Sequence, residues 1–198
     1  MNVAVVGWGS LIWCLGSLRV RSRWRRDGPL LPIEFARISQ DGRLTLVIHP
    51  SSADQSTYWA LSDMTTLEDA RRNLREREGA KLADIHYVVR DGQEAEGVPR
   101  DIIERTRAWL AGYEELGAAI WTGLRSNWKE KRGRDFSLDE AVQYLEELKA
   151  GGDEAKPTYD RAREYVTNAP PQIATAVRRI IRERGWADTQ LAVILFED

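Results

Sequence analysis

The sequence predicts an α+β fold, and three observations predict it. Short β-branched runs bounded by Gly, Pro, Asn or Asp turns fill the first half. Apolar residues at helical spacing dominate the second. Strand and helix do not alternate in the regular βαβ rhythm that a doubly wound parallel sheet needs. The expected architecture is a mixed, strongly curved β-sheet or small barrel with flanking helices and a helical C-terminal half. At 198 residues the chain reads as a single domain over 1–198, long enough for a real core. Helical elaborations are expected near 100–112 and 127–152.

The elements follow in order. Residues 3–6 form a buried strand that empties into Gly7-Trp8-Gly9-Ser10. Alternation over 18–24 reads as a strand carrying a basic cluster, Arg19, Arg21, Arg23, Arg25 and Arg26, whose plain reading is a solvated face. Runs at 33–38 and 44–48 flank Gln40-Asp41-Gly42-Arg43, a hairpin signal, since Asp-Gly suits a primed turn. A further strand covers 56–62. A helix starts at Thr65-Thr66, with a threonine N-cap and acids in its first turn, and stops at Gly79. A strand at 86–89, a helix over 100–111 and a strand at 119–124 come next. A basic loop, 127–134, precedes a helix opened by Ser137 with Glu140 three residues on, a capping box. Helices at 159–166 and 171–184 and a strand at 191–196 complete the reading. The strands at 3–6, 33–48, 56–62 and 86–89 are expected in one mixed sheet, with the 66–78 helix packed beside it.

Composition excludes several classes. Net charge is −2, so nothing in the totals calls for nucleic acid or a membrane surface. One cysteine, Cys14, rules out an internal disulfide and fits a reducing, cytoplasmic setting. With only two histidines, His49 and His86, beside it, a His/Cys metal site is not expected. The sequence starts directly into a strand without a basic leader, and its apolar runs are too short to span a bilayer. Eight tryptophans read as core anchors.

Two places carry chemistry. The Gly-Trp-Gly-Ser turn lets a ligand approach the backbone, and successive N–H groups there can converge on an anion. It is not a dinucleotide fingerprint, because Ile12 stands where the third glycine belongs and no good helix follows. A plain strand-end turn is the alternative. Glu78 ends its helix, where the dipole disfavours an ionised acid by about 0.3–1 kcal/mol. Partial burial would raise its pKa further and suit it to proton transfer near neutral pH. On the residues alone, a solvated glutamate in Arg75-Glu76-Arg77-Glu78 remains the other reading.

The ordered motifs resemble the γ-glutamylcyclotransferase family. The first strand with Trp8-Gly9-Ser10-Leu11 is similar to the family's Tyr-Gly-Ser-(Asn/Leu) loop, and Leu11-Ile12-Trp13 to its glutathione-degrading branch. Leu74-Arg75-Glu76-Arg77-Glu78-Gly79 resembles the segment presenting the catalytic glutamate before a glycine. His86-Tyr87-Val88-Val89 resembles the strand with a pocket tyrosine, and Pro157-Thr158-Tyr159 the late Pro-x-Tyr segment.

The resemblance implies a curved, barrel-like fold of that type. It also implies an enzyme that cyclises a γ-glutamyl amine or peptide to 5-oxoproline, without cofactor or metal. Glu78 would be the general acid/base. Trp8, Gly9, Ser10 and Leu11 would hold the substrate carboxylate, and Tyr87 and Tyr159 would line the pocket. Two departures stand out. Trp8 replaces the loop tyrosine, and Glu76 offers a second carboxylate spaced like the glutathione-specific branch's Arg-Glu pair, so Glu76 is the alternative catalytic residue. The partner expected is a small γ-glutamyl substrate, with no nucleic acid and no membrane; the oligomeric state is open, a homodimer included. Competing readings are a non-catalytic small-molecule-binding or interaction protein, and another transfer or lyase step on a γ-glutamyl-tagged compound.

Overall fold

A computed structural model describes residues 1–185. The elements up to the middle of the chain are β1 (Asn2–Gly7), β2 (Leu30–Ile38), β3 (Leu44–Ile48), β4 (Asp54–Ser56), β5 (Tyr58–Leu61), α1 (Leu67–Glu78) and β6 (Ile85–Val89). They are followed by α2 (Arg100–Ala111), β7 (Leu116–Thr122), α3 (Trp128–Arg132), α4 (Leu138–Ala150), α5 (Gly152–Asn168) and α6 (Ala176–Glu183). The fold is mixed α+β with two small sheets, and among the described residues neither closes into a barrel. By contact the described chain divides into two compact units, residues 1–31 with 56–124 and residues 32–55 with 125–185.

The first unit is built on a four-stranded sheet in the order β5-β1-β7-β6. β1 runs antiparallel to β5 and parallel to β7, and β6 is antiparallel to β7. Val3, Ala4, Val5 and Val6 are all buried, so this apolar run is covered on both faces, as a central strand requires. Register assigns the faces. Tyr87 lies opposite Ile120 and Ile85 opposite Thr122, so these four share one face with Val5. α1 packs there, with the Arg71 guanidinium 4.5 Å from the centroid of the Tyr87 ring. Trp59 belongs to the other face, where its ring meets Trp109 and Tyr113 at centroid distances of 5.5 and 5.1 Å. Arg25 lies 4.7 Å over the Trp59 ring, and Asp27 accepts hydrogen bonds from Trp59 Nε1 and the Tyr113 hydroxyl, both at 2.8 Å.

α1 has the ends the sequence prescribes. Thr66 Oγ1 accepts from Asp69 N–H at 3.1 Å. Gly79 takes the left-handed conformation (φ 60°), and Ala80 and Gly79 donate back to the carbonyls of Arg75 and Glu76 at 3.2 and 3.3 Å.

The second unit carries the sheet β3-β2-β4. The β2–β3 hairpin turns at Gly42 (φ 79°), with the Ser39 hydroxyl donating to Asp41 at 2.5 Å. α5 packs on β3 and α4 on α5. Trp128 is buried between Phe136 and Tyr144, at centroid distances of 5.4 and 6.0 Å. Glu34, on β2, is buried at 2% exposure and accepts from the N–H groups of Phe35, Ala176 and Val177 at 2.8, 3.0 and 3.4 Å. A carboxylate thereby caps the start of α6.

Several expectations need correction. The hairpin expected at 33–48 forms, but in the second sheet, so the four predicted strands do not share one sheet. Residues 18–24 are no strand: the isolated bridges Val20–Ser62 and Arg25–Trp59 and a few side-chain hydrogen bonds tie this stretch to the first sheet. Its arginines take separate partners, Arg19 reaching Asp63 and Arg21 reaching Asn2. The strand expected at 56–62 is split between β4 and β5 by Thr57, whose hydroxyl donates to the Pro29 carbonyl at 2.7 Å. The basic loop contains the short helix α3, and α5 begins seven residues before 159, with Pro157 inside it. The strand expected at 191–196 lies outside the described residues.

Candidate functional site

The opening turn and the end of α1 meet. Beyond β1 the chain makes a helical turn in which Ile12 N–H donates to Gly9 O at 3.1 Å and Cys14 N–H to Ser10 O at 2.8 Å. Those bonds use the later donors of the turn. The N–H groups of Gly9, Ser10 and Leu11 find no acceptor among the described residues, although Gly9 and Leu11 are buried. Buried backbone donors are nearly always paired, so three consecutive unused ones need a reason. Successive N–H groups of this kind can take an anion. Gly7 is tight for a different cause: a Cβ there would lie 3.2 Å from the ring of Trp24. Gly9 does not adopt a positive φ.

Glu78 faces this turn through its neighbour. Arg77 Nη1 donates to Glu78 Oε1 at 2.7 Å, while Nη2 donates to Ser10 Oγ at 3.1 Å and to the Cys14 carbonyl at 2.6 Å. One guanidinium therefore holds the carboxylate and the turn together. Both side chains are sheltered, at 13% exposure for Arg77 and 17% for Glu78. Burial pushes the Glu78 carboxyl above the ordinary glutamate range, against the pull of Arg77 and of the Thr122 hydroxyl. Thr122 Oγ1 is itself buried and makes no hydrogen bond of good geometry, so it stands beside the carboxyl as a spare polar group.

The helix sets the two glutamates apart. Ala70 and Leu74 are its buried residues, and Arg77 and Glu78 continue their stripe at i+3 and i+4. Glu76 falls off the stripe and is exposed. Trp8 is buried at 6% exposure and Leu11 at 5%. Tyr87 shares the α1 face of the sheet with Thr122, its ring covered by Arg71. Tyr159 lies on α5, half-buried, in the second unit. The first unit by itself thus contains every other residue predicted for the site.

The chain matches no protein-family model, no curated protein and no solved structure. The site is therefore argued from its own geometry. Among the described residues no cluster of three His, Cys, Asp or Glu side chains could hold a metal ion, and no helix is long and apolar enough to cross a membrane.

Residue-level reading of the sequence missed Arg77 and Thr122. The signal for Arg77 was present, since the 70–74–77–78 stripe places it inward beside Glu78. Thr122 had no comparable signal, because only strand register brings it to the carboxylate.

Proposed function

We propose that the protein is a γ-glutamylcyclotransferase-like enzyme that cyclises a γ-glutamyl amine or peptide to 5-oxoproline and releases the amine. The observation that carries this reading is a sheltered glutamate of raised pKa, joined through one arginine to a turn with three N–H donors unused among the described residues. The chemistry needs little else. The substrate holds nucleophile and electrophile in one molecule, so positioning supplies much of the rate. Its α-ammonium gives a proton to Glu78, and the freed amine attacks the γ-carbonyl carbon. The new C–N bond closes the five-membered ring and the old one breaks. Ring closure costs the attacking nitrogen a second proton as well; Glu78 relays the two in turn to the leaving nitrogen, which departs as an ammonium ion, so protons balance without a cofactor. Gly9, Ser10 and Leu11 hold the substrate carboxylate, with Trp8 and Tyr87 assigned to the pocket wall.

The reading brings with it the curved, barrel-like fold of that family, a cytoplasmic setting and a small γ-glutamyl compound as partner. Its test is incubation with a panel of γ-glutamyl amines, γ-glutamyl peptides and glutathione, with detection of 5-oxoproline. Turnover of at least one compound is the expected result, and none across the panel defeats it. One observation favours a second reading, a non-catalytic small-molecule-binding protein: Glu78 is already paired with Arg77, and a permanently paired carboxylate is a poor base. Saturable binding of a γ-glutamyl compound without product would select it.

A further inference from the structure

Resting on that reading, we infer that Arg77 is the charged anchor for the substrate's α-carboxylate, and that its transfer from Glu78 to that carboxylate frees the base when substrate arrives. The argument starts from what the turn lacks. Three backbone N–H groups and one hydroxyl are neutral donors, whereas recognition of a carboxylate in a sheltered site gains most from a fixed cation. Arg77 is the cation in contact with both parts of the site, 3.1 Å from Ser10 Oγ on one side and 2.7 Å from Glu78 on the other. Its bond to the Cys14 carbonyl, 2.6 Å, fixes the guanidinium against the turn while Nη1 serves the carboxylate. A carboxylate seated on the N–H groups of residues 9–11 lies next to Ser10 Oγ, hence beside this guanidinium. Arginine's planar fork presents enough donors to accept it without leaving Cys14.

The exchange has a chemical consequence. In the free protein Arg77 opposes the effect of burial on Glu78 and keeps the carboxylate less basic. When Arg77 turns to the incoming carboxylate, that opposition weakens and Glu78 gains proton affinity. This happens as the substrate's ammonium group presents the proton to be taken. A ligand without a carboxylate leaves Arg77 on Glu78 and the base masked. Selectivity for γ-glutamyl compounds over their decarboxylated counterparts, 4-aminobutyramides, then follows from one residue.

The test compares matched pairs differing only in the carboxylate. Calorimetry with 5-oxoproline and 2-pyrrolidinone works whether or not the protein turns over. The wild-type protein is expected to bind 5-oxoproline about 10- to 100-fold more tightly, the scale of a hydrogen bond to a charged group. Arg77→Gln should erase most of that preference, and Arg77→Lys, which keeps the charge without the fork, should restore part of it. In turnover, Arg77→Gln should raise KM for a γ-glutamyl amide, while the slow cyclisation of a 4-aminobutyramide should speed up, because Glu78 is no longer masked. Thermal melts show whether each variant is folded. A folded Arg77→Gln protein that keeps the full preference for 5-oxoproline overturns the inference, as does a wild-type protein with no such preference. Should Arg77→Gln misfold, Arg77→Lys with an undiminished preference and unchanged KM overturns it equally. Preference for 5-oxoproline without any turnover removes the enzyme reading and leaves the anchor standing.

Discussion

Glu34 and Glu78 are both sheltered glutamates whose carboxyls burial pushes above the ordinary range, yet their surroundings differ in kind. Three backbone N–H groups point at Glu34, two of them from the first turn of α6. Its oxygens are consumed by the fold. Among the described residues Glu78 has a single ion pair, a spare hydroxyl nearby and three unused N–H donors on the turn that its partner Arg77 also grips. A raised pKa therefore does not mark function by itself. The distinguishing feature is the balance of donors: a carboxyl whose partners are all committed is a structural piece, and one beside uncommitted donors is placed to meet a ligand.

The largest expected effect separates the two residues by activity. Glu78→Gln keeps shape and removes the proton carrier, so turnover should fall about 10²- to 10⁴-fold while the melting temperature stays near that of the parent. Glu76→Gln, on the exposed side of α1, should leave the rate unchanged. A reversal between them moves the base to Glu76 and breaks the comparison.

Glu34→Gln should show the opposite profile. The amide nitrogen must face at least one N–H group that the carboxylate satisfied, a loss of about 1–3 kcal/mol in stability. Turnover per folded molecule should remain near wild type. Denaturant melts of both variants, with activity measured on the same samples, give the contrast directly. Glu34→Gln of undiminished stability would mean that burial, and not the helix cap, dominates there.

The same pair sets a pH dependence. Because burial raises both carboxyls above the ordinary glutamate value of 4.5, the native state holds its protons more tightly than the unfolded chain does. Their contribution to stability is present in full below that value and is lost as pH climbs through the raised native pKa. The slope of melting temperature against pH over that interval should flatten in each Gln variant. A slope unchanged in both would show that neither carboxyl binds its proton more tightly in the folded state.

The smallest effect expected is at Ser10. Ser10→Ala removes one neutral hydrogen bond and leaves the N–H groups and Arg77 in place, so substrate binding should weaken by about 0.5–1.5 kcal/mol. A measured KM that does not move would place the carboxylate away from this hydroxyl.

What the sequence made legible was local. Thr66 and Gly79 bracket α1 at the expected positions because capping is a matter of a few adjacent atoms. Asp41-Gly42 marks its hairpin for the same reason. Alternation in 33–48 tells which side chains share a face but not which sheet receives the strand, and the hairpin belongs to the second sheet. Residues 18–24 alternate like a strand, yet Asn73 fixes the segment from α1, accepting from Arg19 N–H and donating to the Ser17 carbonyl. A side chain 54 positions away thus decides local backbone shape, and no window over the segment contains it. The site was legible in halves. The turn and Glu78 were visible separately, whereas the bond between them passes through Arg77, read at first as part of a solvated charge run.

The parallel pairing of β1 with β7 sets an order of events for a growing chain. β1 needs β5 on one side and β7 on the other, and Thr122, the group beside Glu78, ends β7. The glycine turn and the carboxylate are both translated long before the strand that completes their sheet. Closing so long a loop must precede any reward from the contacts it makes, which slows assembly. The apolar edge of β1 stays open through that interval. A chain halted near residue 90 holds the turn and the glutamate but lacks the strand that seats them, and its unpaired edge is the place where it would join another copy.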